Sequence, residues 1–145
     1  MSTSRETVRD ALVTLLDTAL VGVGLPCKTV VGSKVKILEG LTPLVVVVSG
    51  GTLRERVTFL GDKPTFYLEV QVWVLQEGIG WTTAQAEDAL DRIESLVAGV
   101  YESERGTANW AVLEYDGRST VIEVTADGKL YYLERIPTVV RTTKS

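Results

Sequence analysis

The stretch Phe66-Tyr-Leu-Glu-Val-Gln-Val-Trp-Val-Leu-Gln76 decides the fold class of this chain. Leu68, Val70, Val72 and Val74 alternate with Glu69, Gln71 and Trp73, the period-two pattern of a strand with one face on a core. With the valines turned inward, Trp73 stands on the other face of the sheet. A large aromatic there points to a second layer, to packing under a loop, or to a partner surface.

Upstream, Leu44-Val-Val-Val-Val48 is a short β-branched run between Pro43 and Gly50-Gly51, the pattern of a strand buried on both faces. Gly50-Gly51 reads as a hairpin turn. Leu53 to Leu60 is then a partly alternating strand, and Gly61-Asp62-Lys63-Pro64 the next turn. Further back, Thr29-Val30-Val31 and Val35-Lys36-Ile37, punctuated by Gly32 and Gly40, hold one short or irregular strand.

Two helices bracket these strands. Val8, Ala11, Leu12, Leu15, Leu16, Ala19 and Leu20 recur at three- and four-residue steps, so they form one apolar stripe. Ser4 is the expected N-cap, and Gly22, Gly24 and Pro26 stop the helix. The second stripe is Ala86, Ala89, Leu90, Ile93, Leu96, Val97 and Val100, ending between Glu102 and Gly106. Thr82 with Gln85 forms a capping box at its start.

Beyond the second helix the chain is β-rich again. Trp110 to Tyr115 reads as a short strand with Asp116-Gly117 as its turn. Thr120 to Thr125 and Lys129 to Thr142 flank Asp127-Gly128, a two-residue hairpin signal. Pro137 inside the last run suggests an edge strand or a bulge. The order helix, strands, helix, strands implies a single α+β domain over residues 1–145. Its sheet is antiparallel or mixed, with both helices packed on one face.

Composition narrows the chemistry. The 145 residues carry 15 Lys+Arg against 19 Asp+Glu, a net charge of −4, with the basic residues scattered along the chain. Phosphate backbones are held by basic patches, so nucleic-acid binding is not expected as the main task. There is no histidine, which removes Ser-His-Asp and Cys-His catalysis and histidine metal ligands. Cys27, the one cysteine, reads as a reduced core thiol. Gly22-Val-Gly24 and Gly50-Gly51-Thr52 complete neither a dinucleotide fingerprint nor a P-loop. Glu87, Asp91 and Glu94 share a helix face that reads as solvated. No catalytic, cofactor-binding or metal-ligating residue is therefore expected. The polar Met1-Ser-Thr-Ser-Arg-Glu6 start and the short apolar runs lead to the expectation of a soluble product made in the host cytoplasm, with no membrane partner.

The layout resembles the tail terminator (tail completion) proteins of long-tailed bacteriophages. The resemblance is carried by the opening helix Arg5-Glu-Thr-Val-Arg-Asp-Ala-Leu-Val-Thr-Leu-Leu16 and the basic hairpin Leu53-Arg-Glu-Arg56. The alternating strand at Phe66 and the closing strand Tyr131-Tyr-Leu-Glu-Arg-Ile-Pro-Thr-Val-Val-Arg141 complete it. It spans nearly the whole chain and contains no single diagnostic motif. It implies a non-enzymatic virion protein at the head-proximal end of a tail. Such a protein forms a ring, expected to be a hexamer, that stops tube polymerisation and joins tail to head. The implied partners are further copies of the chain, the tail tube protein and the head–tail connector protein, with genome DNA passing through the channel without specific binding. Two other readings stand beside this one: another phage neck component (a head completion or tail adaptor protein), and a small-molecule-binding or carboxylate-based catalytic α+β domain. The expected partner contacts are Thr52, Leu53, Arg54 and Arg56 of the hairpin, Asp62 and Lys63 of the following turn, Trp73, and Ile79 with Trp81 in the Gly-flanked loop.

Overall fold

The computed structural model describes residues 4–32, 42–58, 61–76, 82–126 and 128–142, with only the backbone described at 55–58 and 61–63. Val35 to Ile37, Ile79, Trp81 and Asp127 lie outside the described residues.

The elements in chain order are α1 (Arg5–Leu20), β1 (Thr29–Val31), β2 (Leu44–Thr58), β3 (Gly61–Leu75), α2 (Thr83–Ser103), β4 (Val112–Tyr115), β5 (Thr120–Ala126) and β6 (Lys129–Arg141). The fold is α+β, with a six-stranded mixed sheet in the order β1-β2-β3-β6. Beyond β6 the next position is shared, β5 pairing with Lys129 to Arg135 and β4 with Thr138 to Arg141. Among the described strands only β1 and β2 pair in parallel.

Both helices form where their caps and stripes require. The Ser4 hydroxyl accepts from the Thr7 N–H at 3.1 Å. The Thr82–Gln85 capping box is complete, with bonds of 2.8 and 3.2 Å. Each cap satisfies N–H groups that the first helical turn leaves without intrahelical partners. The stripes Val8, Leu12, Leu16, Leu20 and Ala86, Leu90, Ile93, Val97 are buried on one face of the sheet, against Val45, Val47, Val70, Val72, Val74, Ile136 and Val140. Burial of each Val or Leu side chain contributes about 1.5–3 kcal/mol, so this layer is the main source of stability. Cys27 belongs to it, and burial pushes its thiol up to about 12. On the opposite face, Leu44, Val46 and Tyr131 form a smaller buried cluster with Val31, Val48, Trp73, Leu75 and Ala126 against it. The run Leu44 to Val47 is thus buried on both faces, as its composition demands.

Three turn and edge expectations are overturned. Gly50-Gly51 is no hairpin turn: β2 runs through it, and the register slips there between Ser49↔Leu68 and Thr52↔Phe66. A Cβ on Gly50 would lie 2.7 Å from the Tyr67 carbonyl oxygen, so the glycine permits a bulge with close backbone approach. Gly61 to Pro64 is no turn either; it opens β3, whose register with β2 continues to Thr58↔Gly61. Pro137 marks neither an edge nor a bulge. It sits inside β6, in unbroken register opposite Glu69 of β3. Its carbonyl accepts from Asp116 at 2.8 Å, on the β4 side, so its nitrogen faces that side too. That position falls between the last residue of β4, Tyr115 opposite Thr138, and the first of β5, Thr120 opposite Arg135, where no ladder donor is needed.

Candidate functional site

The structure gathers six of the expected contact residues on one feature. β3 pairs with β6 only as far as Thr65↔Arg141, whereas β2 and β3 remain paired to Thr58↔Gly61. The two strands therefore run past the body of the sheet as a two-stranded arm. Thr52, Leu53, Arg54 and Arg56 lie on its first strand, Asp62 and Lys63 on its second. Opposite charges share rungs of the ladder, Glu55 opposite Lys63 and Arg56 opposite Asp62. The arm is tied down at its root. Arg5 at the start of α1 donates to the Thr52 hydroxyl at 2.8 Å, and the Thr142 hydroxyl donates to the Pro64 carbonyl at 2.8 Å. Beyond that root Leu53 is 45% exposed and Arg54 is exposed. A two-stranded ribbon is marginal in water by itself, so a projecting one is suited to packing on something else.

Trp73 is elsewhere, in register with Leu44 and Leu133 at the other end of β3. It lies on the face away from the helices, half-buried, edge-on to Tyr131 with centroids 6.2 Å apart. Its indole N–H donates to Gln71, Gln71 donates to Glu69 at 2.6 Å, and Arg135 pairs with Glu69 at 2.8 Å. This network ties the indole and Glu69 to their own sheet.

The acidic face of α2 is exposed at Glu87 and Asp91, as its spacing suggests, and half-buried at Glu94. The Tyr115 hydroxyl donates to Glu94 at 2.5 Å and the Tyr132 hydroxyl to Glu87 at 3.2 Å. Glu134 of β6 is buried facing that helix and accepts from the Ser119 hydroxyl at 2.5 Å. Its carboxyl is held above the usual range by burial and by Glu94 and Asp91. An open groove of about 300 Å³ lies between the end of α2 and β4, lined by Tyr101, Glu102, Arg105, Leu113, Glu114 and Tyr115. Its Glu114 carboxylate is engaged by both Arg105 and Arg141. No group of three or more His, Cys, Asp or Glu among the described residues could hold a metal ion. No described helix is long and apolar enough to cross a membrane.

The strand expected at Thr120 to Thr125 is present as β5, but the sequence did not mark it as a contact surface. Its seven residues, Thr-Val-Ile-Glu-Val-Thr-Ala, pair with β6 in unbroken register. Among the described residues no strand pairs with its other edge. Val121 is 51% and Ile122 39% exposed. Edge strands are ordinarily blunted by Lys, Pro or a bulge, and β5 has none of these. That absence was a legible signal, but the edge position itself was not.

No protein-family model matches this chain, and no curated protein does. Among solved structures the chain is similar to one in a structure described as "Virion of native gene transfer agent (GTA) particle". The identity is 14%, over 91% of this chain and 84% of that one, with a TM-score of 0.45.

Proposed function

We propose that this chain is a structural assembly protein of a long-tailed phage, a tail terminator that closes into a ring on the end of the tail tube. A likeness at a TM-score of 0.45 fixes no function, so the reading rests on the chain itself. The observation that carries it is the pair of features a single copy leaves unused: an arm that runs past the sheet and a strand edge that carries no Lys, Pro or bulge. They are different surfaces, so a contact between copies that uses both is heterologous, and heterologous contacts that close make rings. The resemblance of the helix–strand–helix–strand layout to that of tail terminators supports this biological setting. In this role the ring stops tube growth and presents a surface to the head-side connector, and the contact candidates on the arm serve the assembly.

The test is the mass of the purified chain by light scattering over a range of concentrations, with electron micrographs of the same fractions. Rings of several copies, alone or on addition of tail tubes, support the reading. Rings that engage connectors and ignore tubes point to another neck component. A monomer unaffected by tubes or connectors refutes both and turns attention to the groove beside Tyr101.

A further inference from the structure

The alternation of backbone groups shows which residues are available on each open edge. Successive residues of a strand send their N–H and C=O to opposite sides. The carbonyls of Pro137 and Arg141 accept from Asp116 and Ala111, whereas that of Leu130 accepts from Gln76. Odd-numbered residues of β6 therefore face β4 and β5, and even-numbered ones face β3. Since Ile122 pairs with Leu133 and Val124 with Tyr131, these two bond inward to β6. Val121, Glu123 and Thr125 direct their N–H and C=O outward. The same count runs across β3, whose even residues face β6, as the Gln76 N–H and the Pro64 carbonyl show. Their partners on the arm, Thr52 opposite Phe66, Arg54 opposite Pro64 and Arg56 opposite Asp62, direct their backbone groups away from β3. β1 covers β2 only over Leu44 to Val46, and no other strand among the described residues pairs with that edge of the arm.

The two rows are compatible in sense, face and charge. β2 is antiparallel to β3, β3 to β6 and β6 to β5, so β2 and β5 run in opposite senses. A rotation of about 60° between six-fold neighbours preserves that relation, so β2 of the next copy meets β5 antiparallel. Thr52, Arg54 and Arg56 are opposite helix-face positions of β3; Val121, Glu123 and Thr125 are opposite helix-face positions of β6. A joined sheet thus keeps one helix-bearing face. The rows also lie on opposite sides of the sheet and at opposite ends of it, so no copy can join its own. Glu123 is exposed in acidic surroundings: with burial and the hydrogen bond to Glu87, it helps hold the Tyr132 hydroxyl above its usual range. A basic residue is the complement it lacks from its own helix face.

We propose that the arm of one copy adds to the β5 edge of the next as an antiparallel strand, with Arg54 opposite Glu123, Thr52 opposite Thr125 and Arg56 opposite Val121. The inference rests on the ring reading and specifies its interface. Main-chain bonds supply the affinity, and the Arg54–Glu123 pair sets the register.

Two kinds of variant test it in the full-length chain, with mass by light scattering and folding by circular dichroism. Val121→Pro and Thr125→Pro remove outward N–H groups that β6 does not use, so the chain stays folded and assembly is lost; Val121→Thr, which keeps the N–H, still assembles. Arg54→Glu and Glu123→Arg each raise the concentration for half-assembly about tenfold or more, and together they restore it to within about threefold of wild type. If a proline variant unfolds, the charge exchange decides alone. Wild-type rings with no response to any variant, or a double variant no better than its parents, overturn the strand-addition interface and leave the ring standing. A wild-type chain that forms no ring with or without tubes overturns the ring and this interface with it.

Discussion

Trp110 lies just past the end of α2, 1% exposed, and its indole N–H donates to the carbonyl of the helix C-cap Glu104 at 2.9 Å. One side chain thus closes the core beneath β4 and satisfies a carbonyl that the helix end leaves without a partner. Trp110→Ala is expected to cost about 3–5 kcal/mol, measured by urea denaturation. Trp110→Phe retains most of the buried surface and loses the hydrogen bond, so its cost should be well below that. Glu134 behaves in the opposite direction. Its folded carboxyl binds a proton more readily than the unfolded one, because burial and the neighbouring Glu94 and Asp91 disfavour its charge. Between the unfolded and folded pKa the folded state therefore carries more protons, and stability from this group rises as pH falls through that window. Glu134→Gln removes the penalty, so at neutral pH it should raise Tm by about 1–3 °C, the size of an effect below 1 kcal/mol. The gain should shrink as the pH is lowered and the wild-type carboxyl protonates. A lower Tm for the Gln variant at neutral pH would refute the assignment.

At the scale of elements the β2–β3 ribbon is the unusual feature, two strands of 15 residues each where five or six is common. Its bulge at Gly50-Gly51 lets two long strands stay paired while the register slips. The two glycines are not equivalent. An added Cβ at Gly50 meets the Tyr67 carbonyl oxygen at 2.7 Å, while at Gly51 it meets nothing within 4 Å. Gly50→Ala should cost about 1–3 kcal/mol by forcing the strands apart. Gly51→Ala should stay within about 0.5 kcal/mol, as surface changes away from special geometry do. Equal Tm values for the two variants would show that the ribbon yields at this contact.

At the scale of the whole molecule, the six strands and two helices of the described residues leave one sheet face covered and the opposite edges unequal. The sheet joins β1 to β2 over three residues at one edge and divides the other between β4 and β5. The proposed ring would also have to let DNA pass without holding it. The net charge of −4 is in keeping with that requirement, since retention depends on displacing counterions with clustered cations. Assembled protein is expected to leave double-stranded DNA unshifted in a gel near physiological salt. Retardation that disappears only at high salt would contradict a passive channel.

The local features were legible in the residues. Ser4, and Thr82 with Gln85, announced both helix starts. Asp127-Gly128 announced the β5–β6 connection, and Gly128 adopts φ 74°. The alternation around Trp73 placed it on the face away from the helices. Each of these depends on neighbours a few residues away, or on a period that a strand or helix imposes by itself. Contacts distant in sequence decided the rest. Whether Gly50-Gly51 turns or bulges depends on Tyr67 across the ladder, and whether Pro137 breaks a strand depends on where β4 ends and β5 begins. That β5 is left on an open edge depends on where every other strand goes. A backbone donor is free or satisfied according to what the fold places beside it, and that property belongs to the tertiary structure alone.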